Sequence, residues 1–196
     1  MNRRAIPHNP TEAPPILCHE LAPVKEEYRN PWFKVMDRGS YFTLEYDRPQ
    51  VVVLPVVDRD GILMVRVKRP IINDCPLELP AGDSMPHETP VEAARRELSE
   101  EAGIYIDALD RFSPVIPISE MPGRMPVLLS IFQIELTMDE FNRRKTFDGD
   151  EIISVELLPV KTVMKKIISG EIYLSSPIAI LSRFIFSNIK EVTGNE

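Results

Sequence analysis

The stretch that most restricts this chain is GDSMPHETPVEAARRELSEEAGI, from Gly82 to Ile104. Its second half predicts a helix with marked ends. Thr89 stands at the N-cap, Pro90 suits the first helical position because its missing N–H would be unpaired there anyway, and Glu92 can return a capping-box bond. Gly103 can take the left-handed conformation that closes a helix. Between these ends Val91, Ala94, Leu98 and Ala102 recur at helical spacing and mark a buried stripe. Glu97, Glu100 and Glu101 fall on an adjacent face. Two carboxylates ~5 Å apart repel by roughly 3 kcal/mol at an effective dielectric of ~20, and by far less in open water. A solvated acidic face is one account of such a run. A divalent-cation site is the other, because hard cations take carboxylate oxygens and stacked carboxylates present several at once.

The residues around the glutamates separate these accounts. The stretch fits G-x(5)-E-x(7)-R-E-U-x-E-E-x-G-U, where U is bulky and aliphatic. Gly82, Glu88, Arg96, Glu97, Leu98, Glu100, Glu101, Gly103 and Ile104 fill every fixed position. Seven fully specified residues at a usage near ~6% each would co-occur by chance well below about 10⁻⁸ per start point. The pattern resembles the signature of the Nudix hydrolases without a mismatch. That resemblance implies cleavage of a diphosphate linked to another moiety, with Mg²⁺ (or Mn²⁺) held by a loop–helix–loop.

The rest of the chain bounds the alternatives. Its 196 residues, 43% of them hydrophobic, suit one catalytic domain with a small appendage. The formal charge of −7 and the lack of a basic stripe argue against nucleic acid as a ligand. Cys18 and Cys75 have no zinc spacing and read as free thiols in a reducing, cytoplasmic compartment. No apolar run approaches ~18 residues, so no membrane span is expected. The Pro-rich start lacks the apolar core of a secretory signal. Residues 1–29 read as a flexible arm, 30–47 as an N-terminal β extension and 48–196 as the hydrolase domain.

NPWFKVMDRGSYFTLEYD predicts two strands around DRGS, and QVVVLPVV with ILMVRVKR predicts a hairpin around DRDG. CPLELPAG is a short strand entering the acidic loop–helix. LDRFSPVIPI and VLLSIFQIEL are further strands, TMDEFNRRKTFDGDE reads as a polar loop, and IISVELLP is the last strand. Two helices follow, one around Val160 to Ser169 and one capped by Ser176 with Pro177 at its first position. Strands flanked by helices predict an α/β protein with a mixed sheet between helices, an α/β/α sandwich that agrees with the Nudix fold.

Beyond the signature, VKRPIINDCPLELPAG resembles the segment preceding it in ADP-ribose pyrophosphatases, through Arg69, Pro70, Glu78, Pro80, Ala81 and Gly82. GDEIISV resembles their late acidic loop, with Glu151 at the glutamate position and Asp150 beside it. NPWFKV resembles the first strand of an N-terminal sheet that reaches across a two-fold dimer in that subfamily. One departure is the loop SEMPGRMP, where Pro122 lies about three residues later than the subfamily's proline.

The resemblance implies a homodimer and an ADP-ribose-like substrate, cleaved to AMP and a sugar phosphate. It assigns Glu97, Glu100, Glu101 and the Ala81 carbonyl to the metal. Glu100, Glu101, Glu151 and Arg96 become the catalytic set, Arg96 orienting the cluster through Glu88. Arg69, Trp32, Glu78 and Arg124 become substrate contacts. Arg69 is a candidate phosphate clamp because its planar donors can meet two oxygens, or else a structural ion pair. Trp32 could stack on a base or belong to the core. NADH, FAD or GDP-mannose are alternative substrates, and a silent nucleotide-binding module is the alternative function.

Overall fold

A computed structural model describes residues 9–145 and 151–193, with side chains through 188. Its centre is strand β4, Gln50–Val57, whose sequence QVVVLPVV is apolar at seven successive positions and buried on both faces. Such an unbroken run belongs in the middle of a covered sheet, since side chains on both faces meet other elements. β4 turns at Asp58 and Arg59, both with positive φ, into β5, Gly61–Val67. β4 also pairs in parallel with β9, Leu129–Leu136, and β9 pairs antiparallel with β8, Ser113–Ile118. On the other side β5 pairs antiparallel with β10, Ile152–Pro159. The order β10-β5-β4-β9-β8 is therefore a mixed sheet.

The alternation of β4 divides the interior in two. Val51, Val53 and Val57 face α1, Pro90–Ala102, and pack with Val91, Ala94, Leu98 and Ala102. Val52, Leu54 and Val56 face the opposite layer, where α3, Val160–Ile168, and α4, Ser175–Thr193, supply Val163, Ile180, Leu181 and Ile185. This is the α/β/α sandwich with a mixed sheet that the sequence predicts. A separate three-stranded antiparallel sheet, β1-β2-β3, comprises Val24–Arg29, Phe33–Arg38 and Phe42–Tyr46.

Three elements differ from the sequence reading. β1 lies inside the segment given to a flexible arm. VKEEYR has no buried face, and only its ladder with β2 makes it a strand. The segment before β1 is also tied down, as the Val91 N–H donates to the Pro10 carbonyl (3.0 Å) and the Leu17 N–H to that of Pro126 (2.9 Å). Within the expected polar loop, α2 spans Met138–Asn142 behind a Thr137–Glu140 capping box. α4 starts one residue before the expected cap at Ser176.

One feature of the sheet creates the cleft. β4 and β5 pair directly only beside their turn, at Val56↔Ile62 and Val57↔Gly61. Beyond that they separate. β6, Leu77–Glu78, then takes β5, and β7, Ala81–Asp83, takes β4. The wedge between the two strands thus holds Glu78, Ala81 and Gly82, and α1 lies against it.

α1 ends as its sequence implies. Gly103 has φ +69°, its N–H donates to the Ser99 carbonyl (3.1 Å), and its own carbonyl accepts from the Lys145 N–H (2.9 Å). A Cβ there would overlap the Lys145 backbone. Gly103→Ala should therefore destabilise the fold by about 1–3 kcal/mol, the cost of a side chain held in this conformation, and lower the thermal midpoint. An unchanged midpoint in calorimetry would show that the Lys145 contact does not constrain the helix end.

Candidate active site

Arg96 gathers the acidic face of α1. Its Nε lies 3.1 Å and its Nη2 3.0 Å from the two Glu88 oxygens, a bidentate pair. Its Nη1 donates to Glu97 Oε1 and to Glu100 Oε2, each at 2.7 Å, and Nη2 also donates to the Asp83 carbonyl at 2.7 Å. Burial pulls the Arg96 pKa down, but the bonds from Glu88, Glu100 and Glu97 outweigh that and raise it. The guanidinium is a fixed positive hub.

Glu97 is only 7% exposed. Its carboxylate fills the space where Gly82 has no side chain, and any Cβ at Gly82 would collide with it. Gly82 is therefore required for the close approach of the β7 backbone to the carboxylate. Glu101, one turn on, accepts the Ala81 N–H at 2.9 Å. Burial pushes the Glu101 carboxyl up to about 7, opposed by the Ala81 N–H and reinforced by the Glu97 charge. Glu97 is also raised, again by burial first, with Arg96 opposing.

Arg69, just past β5, turns its Nε and Nη2 onto Glu78 at 2.6 and 2.9 Å. Glu78 lies on β6 opposite Val65, whereas the backbone of Arg69 bridges Asp74, so the arginine side chain reaches back along the strands to Glu78. The fork offered to a phosphate by the sequence reading is thus held by a neighbouring carboxylate, as in the structural-pair alternative. Both residues still line a cleft of about 360 Å³, with Ala81, Gly82, Asp83 and Ser176. Glu151 is exposed at the start of β10, where its carbonyl accepts the Lys68 N–H (2.8 Å) and its charge acts on Arg69. Asp150 lies outside the described residues.

Two expected substrate contacts are not brought to this cleft. Trp32 is 71% exposed in the turn between β1 and β2, neither core nor cleft wall. The Arg124 side chain donates to the Gly123 carbonyl in its own loop, and its carbonyl accepts from the Leu44 N–H. The same loop instead brings Glu120 to the cleft, where it accepts from the Ser176 hydroxyl. Nothing in SEMPGRMP distinguishes Glu120 from an ordinary loop carboxylate, so sequence reasoning missed it.

The donor set suits a hard divalent cation. Its side chains offer only carboxylate oxygens, Glu101 is half-buried against one N–H donor, and Gly82 leaves room for the Glu97 carboxylate beside the β7 backbone. In this arrangement the carboxylates face separate partners, and among the described residues no three Asp, Glu, His or Cys side chains converge on one point. Glu100, the most exposed of the three, must leave Arg96 to join the others, which costs little for a solvated side chain.

Comparisons with known proteins bear on the family and the fold. The model of the NUDIX domain family matches residues 47–174. The chain is 28% identical over 123 residues to an ADP-ribose pyrophosphatase of Bacillus subtilis (strain 168), a match covering 63% of this chain and 64% of that protein. It shares its fold, at a TM-score of 0.64 and 19% identity, with the crystal structure of an ADP compounds hydrolase, over 96% of this chain and 100% of that one.

The raised Glu101 carboxyl yields a stability prediction. Folded Glu101 keeps its proton to about pH 7, whereas the unfolded group loses it near 4.5. The folded state therefore binds more protons between these values, and stability falls as pH rises through that window. Glu101→Gln removes the penalty. In chelator, the variant should match the parent near pH 4 and exceed it above pH 7, by on the order of 1–3 kcal/mol. Denaturant titrations at both pH values check this, and equal stability at pH 8 would contradict the buried-carboxylate account.

Proposed function

The chain belongs to the NUDIX domain family, and we propose that it is a metal-dependent pyrophosphohydrolase acting on ADP-ribose or another ADP-sugar, giving AMP and a sugar phosphate. The observation that carries this reading is the Arg96 hub, which holds Glu88, Glu97 and Glu100 in one network while Gly82 opens the backbone to the Glu97 carboxylate. The Bacillus relative's named activity supports the ADP-ribose end of the proposal.

Glu97, Glu100, Glu101 and the Ala81 carbonyl would hold Mg²⁺ (or Mn²⁺). When bound, the ion supplies Lewis-acid neutralisation of the diphosphate charge. Arg96 keeps the glutamates in register. Arg69, oriented by Glu78, presents its remaining Nη1 edge toward a substrate phosphate. Glu151, exposed and within electrostatic reach of Arg69, is assigned to accept the proton of the attacking water. The site takes a small-molecule nucleotide. Among the described residues no helix is long and apolar enough to cross a membrane. Free Cys18 and Cys75 fit a reducing, cytoplasmic setting.

The substrate reading is tested by a panel of nucleoside diphosphate derivatives with Mg²⁺ and product analysis. ADP-ribose or a related ADP-sugar should be turned over best, and a strong preference for nucleoside triphosphates would remove the assignment. Glu101→Gln should cut turnover by at least ~10²-fold while leaving the thermal midpoint at or above that of the parent, because it removes one charge from a charge-stabilising site. Near-normal turnover at saturating Mg²⁺ would show that Glu101 is not an essential ligand.

A homodimer is part of the same proposal. Tyr28, Phe33, Val35, Leu44 and Phe42 share one face of the N-terminal sheet, and Tyr28 and Phe42 are about half exposed there. A small sheet with such a face gains from packing against a second copy. Sedimentation at micromolar concentration should give twice the 22.4 kDa chain mass. A monomer would overturn this part alone.

A further inference from the structure

Arg69 enters the cleft from the base of an exposed loop. Residues 70–74 all face solvent, with Ile71 98% exposed and Ile72 about half exposed, so little packing holds them. The loop's own bonds are local. The Ile72 N–H donates to the Arg69 carbonyl and the Asn73 N–H to that of Pro70, each at 3.2 Å, and the Arg69 N–H closes the loop on the Asp74 carbonyl at 2.8 Å. Among the described residues, the one bond that residues 70–74 take from another part of the chain is that of the Tyr173 hydroxyl, which donates to Asp74 Oδ2 at 2.6 Å. Asp74 Oδ1 accepts the Cys75 N–H at 2.7 Å, so both oxygens of the carboxylate are engaged. The bond to Asp74 pushes the Tyr173 phenol up to about 12, and the same bond holds the Asp74 carboxyl below its ordinary value. Donor and acceptor keep these protonation states throughout the neutral range. Tyr173 itself is firmly based. It lies between α3 and α4 and follows Ile172, which is fully buried in the core beneath those helices. Leu174, Ser176 and Pro177, just after it, line the same cleft as Arg69 and Glu78.

We propose that Tyr173 is a positioning residue for the reaction, whose bond to Asp74 clasps the Arg69 loop to the start of α4 and so fixes where Arg69 presents its Nη1 edge to a substrate phosphate. This rests on the reading of the cleft as a nucleotide diphosphate site. The path from phenol to guanidinium is short. Tyr173 holds the Asp74 side chain, and the Asp74 carbonyl holds the Arg69 N–H. Glu78 takes the Nε and Nη2 of Arg69 but does not touch the main chain from which that side chain departs. β6 does not depend on the clasp, because its ladder with β5 and the bond from Arg66 Nη1 to the Cys75 carbonyl (3.0 Å) hold it separately. Loss of the phenol thus frees the loop and spares the strand that carries Glu78. A clamp for two phosphate oxygens is sensitive to such freedom, since its advantage lies in a fork held in one orientation.

The test is a double-mutant cycle between Tyr173→Phe and Arg69→Ala in the full-length protein, read by calorimetric binding of α,β-methylene-ADP, which is not hydrolysed, in the presence of Mg²⁺. Tyr173→Phe removes one hydroxyl from a partly exposed ring and should leave the thermal midpoint near that of the parent. It should weaken binding of the probe by about tenfold, the order of one hydrogen bond to a charged group. In the Arg69→Ala background the same substitution should change binding by less than about twofold, because the residue it positions is gone. A general loss of structure would instead weaken binding in both backgrounds. Tyr173→Phe binding as the parent does, while Arg69→Ala binds weakly, overturns the clasp and leaves the cleft reading intact. A tenfold effect that persists without Arg69 also overturns the clasp. A parent that does not bind the probe, or an Arg69→Ala variant that binds it as the parent does, removes the phosphate role of Arg69 and the clasp with it. The expected pattern in a protein that hydrolyses no ADP-sugar upholds the clasp and overturns the reaction assignment instead.

Discussion

The contact between the Glu97 carboxylate and the bare α-carbon of Gly82 governs the rest of the site. A buried carboxylate is costly unless its oxygens are partnered. Glu97 meets that requirement through Arg96, its neighbour on α1, and α1 lies directly on β7. The hub in turn fixes Glu88 in the loop before the helix and the Asp83 carbonyl in the strand beneath it. Loop, strand and helix are thus joined through one guanidinium. A methyl group at position 82 would displace the Glu97 carboxylate and with it the bond from Arg96.

The sheet provides the opening that this contact needs. β4 and β5 are held together by their turn and driven apart farther on, where β6 and β7 take over their ladders. In the wedge β6 and β7 supply ladder partners to β5 and β4, and the Val53 and Val67 N–H groups donate to the Pro80 and Pro76 carbonyls, as buried backbone polar groups require. The return of the chain along β6 and β7 carries Glu78 to Arg69 and sets the Ala81 N–H on Glu101.

Much of this was legible because it is local. The caps of α1, the unbroken apolar run of β4 and the signature spacing each depend on residues within about two turns or one strand. What was not legible depends on partners distant in the chain. VKEEYR carries no alternation that marks a strand, and only β2 makes it one. The Arg69–Glu78 pair depends on β6 folding back beside β5, which charge alone does not reveal. Glu120 became a cleft residue only through the fold of a long loop against α4. Trp32 is the reverse case, since its chemistry suits stacking while its turn leaves it exposed outside this cleft. The α2 miss was different in kind, because T-x-x-E at Thr137 and Glu140 was a local signal within a stretch read as polar loop.

The charge balance of the cleft bears on how an acidic protein would hold an anion. Both arginines beside it are already engaged, Arg69 by Glu78 and Arg96 by three carboxylates and a carbonyl. Against them stand Glu78, Asp83, Glu97, Glu100, Glu101 and Glu120, so the local sum is negative, as is the whole chain at −7. A bare diphosphate gains little there, because each arginine would have to exchange one anionic partner for another. A diphosphate accompanied by divalent cations meets a surface of the opposite sign, and the raised Glu101 carboxyl then loses its proton in favour of the cation. On the proposed reaction, the acidic cluster thus selects cation-paired diphosphates over free anions. The ordering of the arginines by their own carboxylates fixes where the second charge of the substrate can lie.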